Sequence, residues 1–224
     1  MRIIPKFKSS FKLKIKAALG KDEKIFIIGK NKTGTTSLKE VFKSLGYIVG
    51  NQAKAELLID EYEREDFDSI LDYCDTAEVF QDIPFSMPDT YKHLYKKYPN
   101  AKYILLERES PEIWFNSLLR FHQKLVNNGN PITANDLKNF EYRKKGFLWQ
   151  SAQIVYGIDE TTLYDKDTYI QKYNSYNQEV KEFFKDKNNF LSLVLSHQDT
   201  AEKLAVFLDR KVADIKIPHL NKSS

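Results

Sequence analysis

The chain is poor in the residues that punctuate or staple a fold. Among its 224 residues there is one cysteine, Cys74, so no internal disulfide can form, which fits a reducing compartment. Eight glycines and seven prolines are scattered singly, which leaves no linker, repeat or low-complexity block. Four histidines, His93, His122, His197 and His219, stand far apart, and no Cys/His cluster has metal-ligand spacing. No apolar run reaches the roughly 18 residues of a membrane span. A net charge of +4, from 35 basic and 31 acidic residues, is too mild for the strongly basic stripe of a nucleic-acid binder. It suits a site that must hold an anion.

What is present describes one domain, residues 24–224, behind a short arm, residues 1–23. The arm interleaves Lys and Arg with Ile, Phe and Leu and lacks the apolar core of a secretory signal. As a helix it would be basic and amphipathic, able to touch an anionic membrane surface from the cytoplasmic side; packing on its own domain is the other reading. In the domain, short apolar runs at residues 24–28, 77–82, 102–106 and 190–195 read as buried strands, with a shorter one at 47–49. Helical spacing predicts helices over 36–45, before Asp75, over 89–98, from Ser110 to about Leu125, over 169–184 and after Asp199. Ser110 and Pro111 form a capped helix start, and Asp199 with Glu202 an Asp-for-Ser capping box. Strands alternating with helices predict an α/β domain: a central parallel sheet between two helical layers, with ligands at the carboxyl ends of the strands.

The segment after the first strand is Gly29-Lys30-Asn31-Lys32-Thr33-Gly34-Thr35-Thr36-Ser37-Leu38. A strand that turns into a helix through such a loop can aim backbone N–H groups and the helix's positive end at one anion. Gly29, Gly34 and Thr36 match the phosphate loop of nucleotide hydrolases, G-x-x-x-x-G-K-[ST], but Thr35 stands where its lysine belongs. The lysine lies inside the loop as Lys32, which argues against a triphosphate with Mg²⁺. A second cation, Arg108, ends the strand at residues 102–106, and Ser117 follows nine residues later in the next helix. Helical side chains lean toward the helix N-terminus, so Ser117 and Arg108 can face one crevice and suit a phosphate monoester.

The loop Lys32-Thr33-Gly34-Thr35-Thr36-Ser37 resembles the 5′-phosphosulfate loop of sulfotransferases that use PAPS (3′-phosphoadenosine-5′-phosphosulfate), with Asn31 in place of the usual proline. Arg108, Trp114 and Ser117 resemble the 3′-phosphate motif of the same family, in a bacterial and eukaryotic subgroup. The resemblance extends over residues 24–221. It implies a P-loop-like fold, PAPS as co-substrate and PAP (3′,5′-adenosine bisphosphate) as product. It further implies a hydroxyl or amine acceptor; residues 127–167 with the basic arm hint at a carbohydrate or lipid-linked one, and no metal is needed because the leaving group is already a stabilised phosphate anion. Lys32, Thr33, Gly34, Thr35, Thr36, Ser37, Arg108 and Ser117 would bind the donor, and Lys32 would also act in catalysis. Ser37 stands where many members carry an adenine-stacking aromatic residue. Asp82, aligned through Pro84 with the family's histidine base, is the candidate base, and His122 its rival. In the segment resembling the family's Tyr-x-x-His-Asn, Tyr176 replaces the histidine. Residues 127–167 are expected to shape the acceptor pocket, Arg210 and Lys211 to stand in for a 3′-phosphate cover, and Pro218-His219-Leu220-Asn221 to tuck against the fold. Two other readings stay open: a kinase on a P-loop fold, and a non-catalytic PAP-binding protein.

Overall fold

The computed structural model describes residues 23–218, together with residue 13. The basic arm and its membrane contact, and His219 to Asn221 of the tail motif, lie outside the described residues.

Four strands form one all-parallel sheet: β1 (Ile25–Ile27), β2 (Val79–Gln81), β3 (Lys102–Glu107) and β4 (Phe190–Val194), in the order β2-β1-β3-β4. Each of the three residues of β1 is fully buried, because the sheet is covered on both faces and every side chain must be apolar. Ile25 and Ile27 join Leu38, Val41 and Phe42 of α1 (Thr35–Ser44) and Leu204 and Leu208 of α10 (Thr200–Leu208) on one face. Phe26 and Ile28 face the other layer. There they meet α4 (Phe67–Tyr73), α5 (Thr90–Lys97) and α9 (Lys166–Phe184) through Ile70, Tyr91, Leu94, Val180 and Phe184.

The strand order places a topological switch between β1 and β3. From β1 the chain goes to β2 on one side, then crosses back to β3 on the other. Helix α1 leaves β1 toward one face. Helix α6 (Pro111–Asn127) leaves β3 toward the opposite layer, where Trp114 and Leu118 pack on Ala152, Tyr156, Tyr169 and Tyr173. Such a divergence opens a crevice at the strand tips. Two short helices, α2 (Gln52–Glu56) and α3 (Ile59–Glu63), flank it, and α7 (Ala134–Asn139) and α8 (Phe147–Tyr156) complete its far wall. Ser110 caps α6 as expected, accepting from the Ile113 amide with Pro111 at the first helical position.

Two local expectations are corrected. Residues 47–49 do not form a strand; only Val49 bridges Val79. The Glu78 carboxylate takes the Ile48 amide (2.7 Å), and Tyr47 turns to pack edge-on against Phe42, so no ladder continues. Asp199 stands at the N-cap of α10 without a capping bond, because its carboxylate pairs with Lys203 (2.8 Å).

Where β1 ends, Gly29 lies against β3: a Cβ there would sit 2.4 Å from the Leu106 carbonyl oxygen and 2.6 Å from its nitrogen. Gly29→Ala is therefore expected to wedge the two central strands apart and cost about 3 kcal/mol, the upper end of ordinary overpacking. A thermal or urea denaturation curve measures it.

Candidate donor and acceptor site

The loop after β1 is tied down through its carbonyls, from outside and from within. The Tyr176 hydroxyl donates to Ile28 O (2.7 Å) and the Thr33 hydroxyl to Lys30 O (2.6 Å). The Trp114 indole donates to Asn31 O (3.0 Å) and Arg108 Nε to Lys32 O (2.7 Å). Trp114 stacks on Tyr173 at 4.3 Å, and the Tyr173 hydroxyl accepts from the Arg108 amide (3.1 Å). Thus residues that read as a 3′-phosphate motif in the sequence also hold the loop after β1 in shape. Gly34 ends the loop with φ 109°, a left-handed conformation that favours glycine. The first amides of α1 beyond it have no intrahelical partner and carry the helix's partial positive charge.

The loop and β3 open onto one cavity of about 560 Å³. Lys32, Gly34, Thr35, Thr36, Ser37, Asp82, Arg108, Ser117 and His122 all line it, so the structure brings together nearly every residue singled out in the sequence. Thr33 is the exception: it is buried beneath the loop and spends its hydroxyl within it. Arg210 meets the phenol of Tyr47 and is absent from the cavity lining, as is Lys211; neither covers this site. Residues 127–167 do contribute, through Tyr142, Arg143, Phe147, Leu148, Ser151, Ala152, Val155 and Tyr156.

Electrostatics divide the cavity. Burial lowers the pKa of Lys32, the neighbouring Arg108 charge lowers it further, and Asp82 opposes both. Its ammonium rests 4.0 Å from the Phe121 ring centroid. The two cations repel each other, a repulsion that an anion close to both would relieve. Asp82 is buried at the tip of β2, with left-handed backbone (φ 57°), and Lys32 shares that unusual conformation (φ 66°). Burial, then the Glu56 charge, push the Asp82 carboxyl up to about 6; Thr35, Lys39 and Gln81 pull against them. Its Oδ2 accepts from Gln52 (2.7 Å) and Gln81 (3.2 Å), whereas the buried Oδ1 has no partner. His122 is buried too and pushed down to about 4 by desolvation and by Lys32, with Nδ1 2.6 Å from the Tyr164 hydroxyl.

Sequence reading missed Gln52, Glu56, Arg143 and Lys30. Gln52 and Glu56 lie four apart on α2, and the Asn51 cap (its side chain accepting from the Lys54 amide) is a visible signal for that helix. Lys30 is buried, donates to Ser86 O (2.8 Å) and sits 3.6 Å from the Tyr176 ring centroid. Tyr176, in the place of a histidine, therefore supports the loop. Among the described residues no group of three or more His, Cys, Asp or Glu could hold a metal ion, and no helix is long and apolar enough to cross a membrane.

Against known proteins, a family model described as "Sulfotransferase domain" matches residues 24–224. No curated protein matches the chain.

Proposed function

The chain belongs to the sulfotransferase family, and on that premise we propose that it transfers a sulfuryl group from PAPS to a hydroxyl or amine, releasing PAP. The observation that carries the reading is the bond from Arg108 Nε to Lys32 O. It joins the phosphate loop and the cationic strand tip in one cavity, as a donor with two separate anionic ends requires. A nucleoside triphosphate has no second anionic end.

The residues fit such a donor. Lys32 and the amides from Gly34 to Ser37 suit the phosphosulfate end, and Arg108 with Ser117 the 3′-phosphate. Arg108 spends its Nε on the loop, so its η nitrogens remain for an anion. When bound, the donor supplies a sulfuryl group carried on a phosphate leaving group. The Asp82 carboxyl, in the cavity wall, takes the proton of the acceptor's O–H or N–H as the new bond to sulfur forms. Lys32 holds the negative charge that gathers on the bridging oxygen as the old S–O bond breaks. Asp82, near 6, suits proton uptake at neutral pH better than His122, near 4. The Asn127-to-Asp167 wall, with Phe147, Leu148 and Val155 beside Tyr142 and Arg143, supports a part-apolar, part-polar acceptor pocket.

Thermal denaturation with PAP, ADP and ATP tests the donor. PAP at a hundredfold excess over its Kd should stabilise by about 2.7 kcal/mol, or roughly 5–10 °C in Tm for a chain of this size. ADP and ATP should give much less, and Arg108→Ala should abolish the PAP shift. Equal shifts with ADP would overturn the reading in favour of a kinase.

A further inference from the structure

We propose that Arg143, Glu56 and Gln52 form a positioning relay that aims Asp82 and sets the pH at which it takes up a proton. The inference rests on the reading of Asp82 as the base. The relay runs from the acceptor wall to the base in three contacts. Arg143 Nε donates to Glu56 Oε2, and Gln52 Nε2 donates both to Glu56 Oε1 (2.9 Å) and to Asp82 Oδ2 (2.7 Å). Gln81 Nε2 closes the group, donating to Gln52 Oε1 and to Asp82 Oδ2 at 3.2 Å each.

The arrangement does two things. Oδ2 is held by two amides, which fixes the carboxyl plane and leaves the buried Oδ1 without a hydrogen-bond partner. At the same time a second buried carboxylate, Glu56, stands within electrostatic reach of the first. A like charge disfavours ionisation and a hydrogen bond to the charged form favours it. Glu56 and Gln52 thus act on Asp82 with opposite sign. Arg143, stacked 4.1 Å from the Tyr142 ring centroid and bonded to the Tyr142 hydroxyl (3.1 Å), keeps Glu56 in place. The other charged and titratable groups facing Asp82 are Lys39 on α1, Lys32 in the phosphate loop and Tyr142 before α8; Thr35 faces it from α1 as well.

The test is a pH titration of the Asp82 side-chain carboxyl by ¹³C NMR in the full chain, with the resonance assigned by its loss in Asp82→Asn. Glu56→Gln should move the midpoint down and Gln52→Met should move it up, each by about half a unit or more. A purely structural role predicts no movement, or movement of both in one direction, and either result in folded variants overturns the relay. If Glu56→Gln does not fold, Gln52→Met decides alone: a midpoint that stays or falls defeats the proposal. The titration needs neither donor nor acceptor, so it stands apart from the functional reading. Full transfer activity in Asp82→Asn would remove Asp82 as the base while leaving the measured coupling intact.

Discussion

Asp82→Asn is expected to lower sulfuryl transfer by about 10²–10⁴-fold, the usual contribution of a positioned base, while the protein becomes more stable. Both effects follow from one carboxyl. In the folded state its pKa is raised to about 6 from an ordinary value of 3.8. A raised carboxyl binds its proton more tightly in the native state than in the unfolded one. Its contribution is therefore neutral below about pH 4 and becomes a penalty as pH rises toward 6. Above that the full cost applies, on the order of 3 kcal/mol for about two units. Asparagine removes the charge, keeps the shape and tolerates the left-handed backbone, so Tm at pH 7 should rise, by roughly 6–12 °C if the full cost is recovered. PAP should still stabilise the variant, because Asp82 is outside the set proposed to hold the donor. In the wild type, kcat/KM should fall below about pH 6 as the base becomes protonated. Scanning calorimetry and a pH–rate profile check the pair; a variant that loses activity and stability together would mark Asp82 as structural.

Lys32→Ala is expected to cost about 10²–10³-fold in kcat, the typical loss when one preorganised stabiliser of developing charge is removed. Unlike Asp82→Asn, it should also weaken PAP binding. Among the described residues the side chain makes no hydrogen bond: its ammonium lies over Phe121, is repelled by Arg108 and is attracted by Asp82. The free protein should thus melt within about 1 kcal/mol of the wild type, as substitutions away from packed features do. Denaturation curves with and without PAP, beside single-turnover rates, separate the two losses. Unchanged rates would remove Lys32 from the reaction.

Much of this was legible in the sequence because it was written locally. The strand-loop-helix at residues 24–38 carries its own hydrophobic run, its glycines and its turn into a helix N-terminus within fifteen consecutive positions. The same holds for β3 with Arg108 and the capped start of α6. The turn at Pro84 led to Asp82, but its φ of 57° and its unpartnered Oδ1 are tertiary facts. Contacts between distant segments were not legible. Arg143 reaches Glu56 across 87 positions, and Trp114 reaches Asn31 across 83. No periodicity encodes such pairs. The failed strand at 47–49 has a similar cause: the apolar triplet has the right composition, but Glu78 captures the amide that a ladder would need.

Lys32 and Asp82 share a backbone shape that L-residues other than asparagine and aspartate rarely adopt. Glycine would suit either position better by conformational preference alone, and asparagine would suit the second. Selection of a mutant library for heat resistance, with no check on turnover, should consequently enrich such replacements and return sturdy, inert proteins. Any programme to harden this enzyme has to fix these two positions at the outset and seek its gains elsewhere.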